Sequence, residues 1–264
     1  MKRINLKNSI LNYALEGKLV PQDINNDSVN VLIKNIKRGK EQLIKDGKIK
    51  RNKNESIIYK ENNHFYEKRG EKGEPICIDD ELPFSIPDNW AWIRFENIVN
   101  FSIGKTPTRK SYEYWNSGEI PWVSIADLKH QKTINKTKEK INKYALDNVF
   151  KNRIIPKDTL LMSFKLTIGK VSILGMYAVH NEAIISVKPF FDKDNILRNY
   201  LFYILPLISQ GGKTKSAIKG KTLNKNSLSN LYIPLPPLEE QKRIVDKIKI
   251  LYEKIELLKN SNNK

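Results

Sequence analysis

The chain has little of what most soluble enzymes use for chemistry. Cys77 is its one cysteine among 264 residues, so no disulfide can form within it. Zinc sites built on several thiolates are excluded for the same reason. Three histidines, His64, His130 and His180, stand far apart in sequence and make no ligand-spaced pair. Long apolar runs are missing too. Thr159–Met162 is typical, and a transmembrane helix needs roughly 18 such residues. The start, Met1-Lys2-Arg3, lacks the apolar stretch and cleavage site of a secretory signal. These absences give the expectation of a cytoplasmic chain with no metal, no cofactor and no membrane contact.

Motifs for catalysis are equally scarce. Gly220-Lys221-Thr222 and Gly212-Lys213-Thr214 end like phosphate-binding loops. Such a loop needs a glycine five positions earlier, where Lys215 and Leu207 stand. No Gly-x-Gly-x-x-Gly occurs, so no dinucleotide or methyl-donor loop is visible. Asp79-Asp80-Glu81 is the densest acid group near the central region, and it reads as a solvated loop beside Pro83. A nuclease would need such carboxylates gathered around magnesium. Glu239-Glu240 is explained by the favourable field at a helix start. The expectation is a protein that is not an enzyme.

Acid is the scarce charge. Lys and Arg number 47 against 29 Asp and Glu, a net charge of +18. Such an excess draws polyanions and speeds their arrival. The chain is also rich in Lys, Asn and Ile, a bias that composition alone can produce, so the placement of the charges decides. Two segments concentrate them. Ser102–Tyr112 holds Lys105, Thr106, Thr108, Arg109, Lys110 and Tyr112 around Gly104 and Pro107. Its hydroxyls and cations suit phosphates or base edges, with Arg109 the candidate for a bidentate guanine contact. Tyr114 and Trp115 follow, and core packing explains them at least as well. Gln210–Lys225 holds Lys213, Lys215, Lys219, Lys221 and Thr222, in a stretch with no acid between Asp194 and Glu239. Glycines there let backbone approach phosphate, although a solvated loop would look the same. Lys165 and Lys170 flank a Thr167-Ile168-Gly169 turn and join the candidate set. Lys129, Lys132, Lys136 and Lys138 form a further run suited to phosphate or solvent alone.

The periodicities predict an α+β protein. Leu6, Ile10 and Tyr13 mark a first helix that ends near Gly17 and Pro21. A second begins after Asn26-Asp27-Ser28 and stops at Asp46-Gly47. Residues 48–82 read as a linker or arm, because they are polar, charge-mixed and punctuated by Gly70, Gly73 and Pro75. From 83 to 235, short β-branched and aromatic runs alternate with turns. They are Trp90–Phe95, Ile120–Ile125, Thr159–Phe164, Lys170–Leu174 and Ala183–Val187, followed by a helix over 195–209. Pro234-Leu235-Pro236-Pro237 closes that region. Over 236–264, Ile244, Ile248, Leu251, Ile255 and Leu258 recur at 4-3-4-3 spacing, a heptad seam suited to a coiled coil. An amphipathic helix packed on its own domain would give the same spacing over so few turns. Leu258-Lys259-Asn260-Ser261 repeats Leu6-Lys7-Asn8-Ser9, and overlaying the two carries the seam onward through Ile10 and Tyr13. Two copies could therefore pair.

Several of these segments together resemble a known family. Pro87-Asp88-Asn89-Trp90 with Trp92, Ile103-Gly104-Lys105-Thr106-Pro107 running to Tyr114-Trp115, and Ile120–Ser124 resemble the opening of a target recognition domain. Thr167–Val171 and Asn181-Glu182-Ala183 continue the likeness. Pro234–Val245, leading into the last helix, is its most specific part. The chain resembles the DNA-specificity subunit of type I restriction-modification systems. Ser9–Pro21 is similar to the helical segment that such subunits carry between recognition domains. The resemblance implies a globular recognition domain at 83–235, and helical regions at 1–47 and 236–264 that form a coiled-coil spacer. It also implies double-stranded DNA, methyltransferase subunits and a restriction subunit as partners. Family members usually carry two recognition domains and this chain has one, which suggests a half-subunit acting as a homodimer or a fragment left by recombination. A non-specific basic scaffold, a nuclease and a purely structural adaptor are the competing readings.

Overall fold

The computed structural model describes residues 2–23, 28–211, 215–217 and 220–261, with side chains described for 6–23, 28–211 and 222–258. The first elements are α1 (Lys2–Leu15), α2 (Val29–Lys45), β1 (Ser56–Glu61), β2 (His64–Arg69), β3 (Ile76–Cys77), β4 (Ala91–Arg94) and β5 (Val99–Ile103). Next come α3 (Tyr112–Trp115), β6 (Ile120–Val123), β7 (Lys132–Ile134), β8 (Glu139–Ile141), α4 (Lys143–Asn148), β9 (Leu160–Ser163) and β10 (Val171–Leu174). The chain ends with β11 (Val179–His180), β12 (Ile184–Pro189), α5 (Ile196–Gly211), β13 (Lys215–Ala217), β14 (Gly220–Thr222), α6 (Lys225–Ser229), β15 (Tyr232–Leu235) and α7 (Leu238–Ser261). Helices and sheets mix as the α+β expectation has it, and the expected strands fall on β4, β6, β9, β10 and β12. No helix among the described residues is long and apolar enough to cross a membrane.

The chain divides into two compact units. The first takes Met1–Ile98, Pro189–Ile204 and Asn230–Lys264, and the second takes Val99–Lys188 and Leu205–Ser229. The sequence pattern predicts one central domain over 83–235. The division differs because β15 returns to pair antiparallel with β4, setting Pro234 against Trp92. Both ends of the expected domain thus belong with the helices of the first unit. The boundary also runs through α5, just before Pro206.

In the first unit both early helices stop as their glycines require. Gly17 has φ +68° and Gly47 φ +67°, the left-handed conformation that costs glycine least. Lys18 N–H donates to Tyr13 O and Gly17 N–H to Ala14 O, and Lys48 with Gly47 repeats the pattern on Leu43 and Ile44. These paired bonds satisfy the last carbonyls of each helix. Ser28 caps α2 by accepting from Asn30 N–H. Residues 48–82, expected as a linker, carry a three-stranded sheet in the order β1-β2-β3. Their polarity does not mark a linker, because Glu67 on the packing face of this hairpin is buried in an ion pair with Arg94. Ser56 pairs with Arg69 and Glu61 with His64 across a two-residue turn at Asn62-Asn63, both at positive φ.

The second unit is built on a five-stranded sheet, β5-β12-β9-β10-β7, and a three-stranded one, β11-β6-β8. One core gathers Val123, Leu128, Ile134, Leu161, Leu174, Ala178 and Ile184. A second gathers Trp122, Ile141, Ala145, Leu146, Phe150 and Val179. All four residues of β9 are buried, which is why it reads as a continuous apolar run with no alternation.

Candidate nucleic-acid interface

The loop after β5 is fixed by backbone. Gly104 N–H donates to Ile184 O, and Lys105 N–H donates to His180 O. A Cβ on Gly104 would lie 2.0 Å from His180 O and 2.3 Å from Asn181 O, so only glycine fits this approach. Trp122 Nε1 donates to Lys105 O at 3.0 Å. His180 lies beneath the loop, and burial pushes its imidazole down to about 4, against weaker upward pulls from its bonds to Asn181 and Ile184.

Three segments distant in sequence meet around the Asn181–Ala183 turn. Thr106 Oγ1 donates to the Glu182 carboxylate. Phe164 N–H donates to Ala183 O, and Leu223 N–H donates to Phe164 O. Lys165 and Thr222 then form an antiparallel bridge. The structure therefore brings Lys105 and Thr106 to the neighbourhood of Lys165 and Thr222. Thr222 is the last residue of the β13–β14 hairpin, where Lys215 pairs with Thr222 and Ser216 with Lys221. Among the expected contacts in this hairpin, Lys213 and Lys219 lie outside the described residues, as do the side chains of Lys215 and Lys221.

Not every expected contact is equally available. Lys105 Nζ donates to Val149 O at 2.8 Å, and Lys170 Nζ to Ile125 O at 3.3 Å. Arg109 forms an ion pair with Glu139. Its guanidinium also stacks 4.4 Å from the Trp115 ring and 4.6 Å from the Trp122 ring. A guanine contact by Arg109 would have to compete with that carboxylate. Thr108, Lys110 and Tyr112 are exposed. Trp115 donates to Thr108 O, and Trp122 is buried, so these two aromatics work as packing.

Leu166 went unnoticed in the sequence. It is half exposed and sits between Lys165 and Gly169 at φ +66°, a conformation that bulky residues rarely hold. Thr167 N–H closes the turn onto Lys165 O at 2.8 Å. Ser163 Oγ accepts from Lys170 N–H and donates to Thr167 O, which holds the loop at both ends. An apolar side chain presented beside two lysines suits contact with sugar or base faces. Nothing in the string Leu-Thr-Ile-Gly announces a leucine at positive φ.

The expected helix seam divides in two. Ile10 on α1 and Ile244, Ile248 and Ile255 on α7 are buried in their own unit, and Leu251 is partly buried. Leu6, Tyr13 and Leu258 are exposed. The two helices run antiparallel. Lys7 Nζ reaches Glu256 at 2.8 Å, and near the other end Gln22 Nε2 donates to Glu240 at 2.7 Å. Glu240 thus does more than favour a helix start. It is fully buried, also takes Asn89 Nδ2 at 3.4 Å, and burial raises its carboxyl against the pull of these donors.

A family model described as the type I restriction modification DNA specificity domain matches residues 87–264. The chain is 29% identical over 192 residues to the type I restriction enzyme MjaIX specificity subunit of Methanocaldococcus jannaschii, covering 67% of this chain and 41% of that one. It is 38% identical over 99 residues to the EcoAI specificity subunit of Escherichia coli, covering 38% of this chain and 14% of that one. Among solved structures, the HsdS subunit from Thermoanaerobacter tengcongensis superposes with TM-score 0.52 at 21% identity, over 68% of this chain and 41% of that one. A chain from a structure of type I R-M complex assembly and conformational transition gives TM-score 0.51 at 17% identity, over 98% of this chain and 53% of that one. At such identities the likeness is one of fold. The chain spans less than half the length of the curated relatives it matches.

Proposed function

The chain belongs to the family of type I restriction-modification DNA specificity domains, and from that premise we propose that it reads one half of a bipartite site in double-stranded DNA. It delivers methyltransferase and restriction subunits to that half-site and performs no catalysis itself. It works in the cytoplasm as a homodimer, with the exposed Leu6, Tyr13 and Leu258 available to a second copy. The observation that carries the reading is the meeting of three basic segments around Asn181–Ala183 within the second unit. Lys105, Thr106, Lys165 and Thr222 meet there. Thr108, Arg109, Lys110, Tyr112 and Lys170 flank them in sequence, and Lys213, Lys215, Lys219 and Lys221 join the set as the basic residues that precede Thr222 in sequence.

Base-resolution methylation mapping of the source genome, with the gene present and deleted, tests this directly. One bipartite methylated motif is expected to vanish on deletion, and a palindromic motif would also support the homodimer. An unchanged methylome would overturn the reading. Binding by the purified complex separates the rivals. Affinity equal for every sequence and collapsing with salt would favour a basic scaffold. Cleavage by the isolated chain with magnesium, abolished when Asp79 and Asp80 are replaced, would favour a nuclease. No DNA binding by chain or complex would leave a structural adaptor.

A further inference from the structure

The hairpin sheet of the first unit gathers side chains that the proposed function leaves unused. Among the described residues, His64, Cys77 and Asp79 bring an imidazole nitrogen, a sulfur and a carboxylate oxygen within 4.8 Å of one another. The strand register explains the meeting. Tyr66 pairs with Cys77, and Ile78 N–H donates to Phe65 O, so the antiparallel run continues beyond β3. His64 then falls opposite Asp79 and diagonal to Cys77. Side chains two apart on a strand share a face, so all three point to one side. Glu61 stands opposite His64 in the same register and adds negative charge.

The cluster is already partly organised. Asp79 Oδ1 accepts from Phe65 N–H at 2.7 Å, which fixes the carboxylate. Its other oxygen lies 2.6 Å from His64 Nδ1. All three groups can be reached from solvent, with Cys77 exposed and His64 well over half exposed. The donors are one nitrogen, one sulfur and one oxygen, the mixed set that a borderline-soft cation prefers. Tetrahedral zinc with ordinary bond lengths separates its ligand atoms by about 3.3–3.8 Å. The nitrogen and oxygen must therefore part by about 0.7 Å, and the sulfur must close by up to about 1.3 Å.

We infer that His64, Cys77 and Asp79 form a three-ligand site for a zinc-like divalent cation, with solvent in the fourth position. Binding releases the thiol proton to solvent. Nδ1 gives up the hydrogen it shares with the Asp79 carboxylate, which passes through solvent to Nε2 in a neutral ring or is released to solvent from an imidazolium, and the cation takes its place between Nδ1 and the carboxylate. The bound ion ties the start of β2 to the end of β3 and the turn after it. The site is independent of the DNA reading and can fail without it.

The untagged full-length chain, reduced and stripped with chelator, is titrated with Zn2+ and separately with Co2+. One equivalent is expected to bind, and the cobalt form should show the near-ultraviolet charge-transfer band of a thiolate ligand. Cys77→Ser should remove that band, and His64→Ala should weaken zinc binding at least about tenfold, the loss typical of a vital ligand or its support. Zinc should also raise the unfolding midpoint of the wild-type chain and leave the Cys77→Ser midpoint unmoved. Should Cys77→Ser fail to fold, the isosteric Asp79→Asn should weaken zinc binding and shrink the zinc-dependent rise in the unfolding midpoint. No stoichiometric binding, or binding undiminished in these variants, would overturn the inference.

Discussion

The two units place their charges in opposite ways. The first buries charge in pairs. Arg94 is almost fully buried and meets Glu67 through two bonds, Nε to Oε1 at 2.9 Å and Nη2 to Oε2 at 2.7 Å. Its remaining donors reach Asn230 O and the Tyr232 hydroxyl, and its guanidinium lies 3.5 Å from the Tyr232 ring. Lys40, also buried, reaches Glu55 at 2.9 Å and Asn97 Oδ1 at 3.2 Å. Among the described residues of the second unit no cation is buried, and the titratable groups that are buried are the His180 imidazole and the Asp127 carboxylate that caps Ser124. A buried pair fixes one geometry because each partner is costly alone. Surface cations cost little and remain available to a polyanion. The first unit is accordingly built as a frame, and the second as a surface.

This contrast can be broken most severely at Arg94. Arg94→Ala leaves Glu67 buried without its partner and should cost about 3–5 kcal/mol in urea unfolding. Burial alone would raise the Glu67 carboxyl, but the hydrogen bonds from Arg94 and the nearby guanidinium charges of Arg94 and Arg69 outweigh it and hold it low. Replacing both partners by apolar residues of similar size should cost much less than the single change. An equal cost would mean that the pair does not stabilise the frame as a pair.

Acid should strike the second unit next. The folded protein holds His180 at about 4 against an ordinary 6.5, so it binds that proton less tightly than the unfolded chain does. The His180 contribution is therefore complete above pH 6.5 and is lost as the pH falls toward 4. The loss amounts to roughly 3 kcal/mol. His180→Asn should flatten that part of the stability profile, and the imidazole resonances should titrate near 4. A titration near 6.5 would place the ring in contact with water. Gly104→Ala follows, at about 1–3 kcal/mol for overpacking against backbone that cannot give way. It should also loosen DNA binding by moving Lys105 and Thr106, whereas the frame keeps its unfolding behaviour.

These experiments also mark what could be read from residues alone. Strands β4, β6, β9 and β10 were legible because apolar and β-branched runs stood between turn signals. The stops at Gly17 and Gly47 were legible because a left-handed cap needs glycine. Residues 56–77 were not, since their packing face holds Glu67, whose partner Arg94 lies on another strand. Ion pairs across 27 residues leave no period. The basic segments at 105–110, 165–170 and 213–222 were visible singly as charge. Their meeting at Asn181–Ala183 was not, because it depends on Phe164 bonding Ala183 on one side and Leu223 on the other. Arg109 shows the opposite limit. Its charge was plain, but the carboxylate and two indoles that occupy it come from Glu139, Trp115 and Trp122.

The smallest effect is expected where the frame meets water, between α1 and α7. The Lys7–Glu256 pair is 34% and 53% exposed, and Lys7 also lies 4.7 Å from the centre of the Tyr252 ring. An exposed pair contributes about 0.2–1 kcal/mol, less in salt. Lys7→Glu should therefore lower stability by no more than that, and Glu256→Lys in the same chain should restore most of the loss. The rescue also tells where the pair forms. Within one chain it is independent of protein concentration. Between two copies, mixing the Lys7→Glu chain with the Glu256→Lys chain would restore both contacts, one of them reversed, and the gain would grow with concentration. Rescue only in the doubly substituted chain, at every concentration, would assign the antiparallel helices to a single copy, leaving Leu6, Tyr13 and Leu258 as the surface on which a second copy must act.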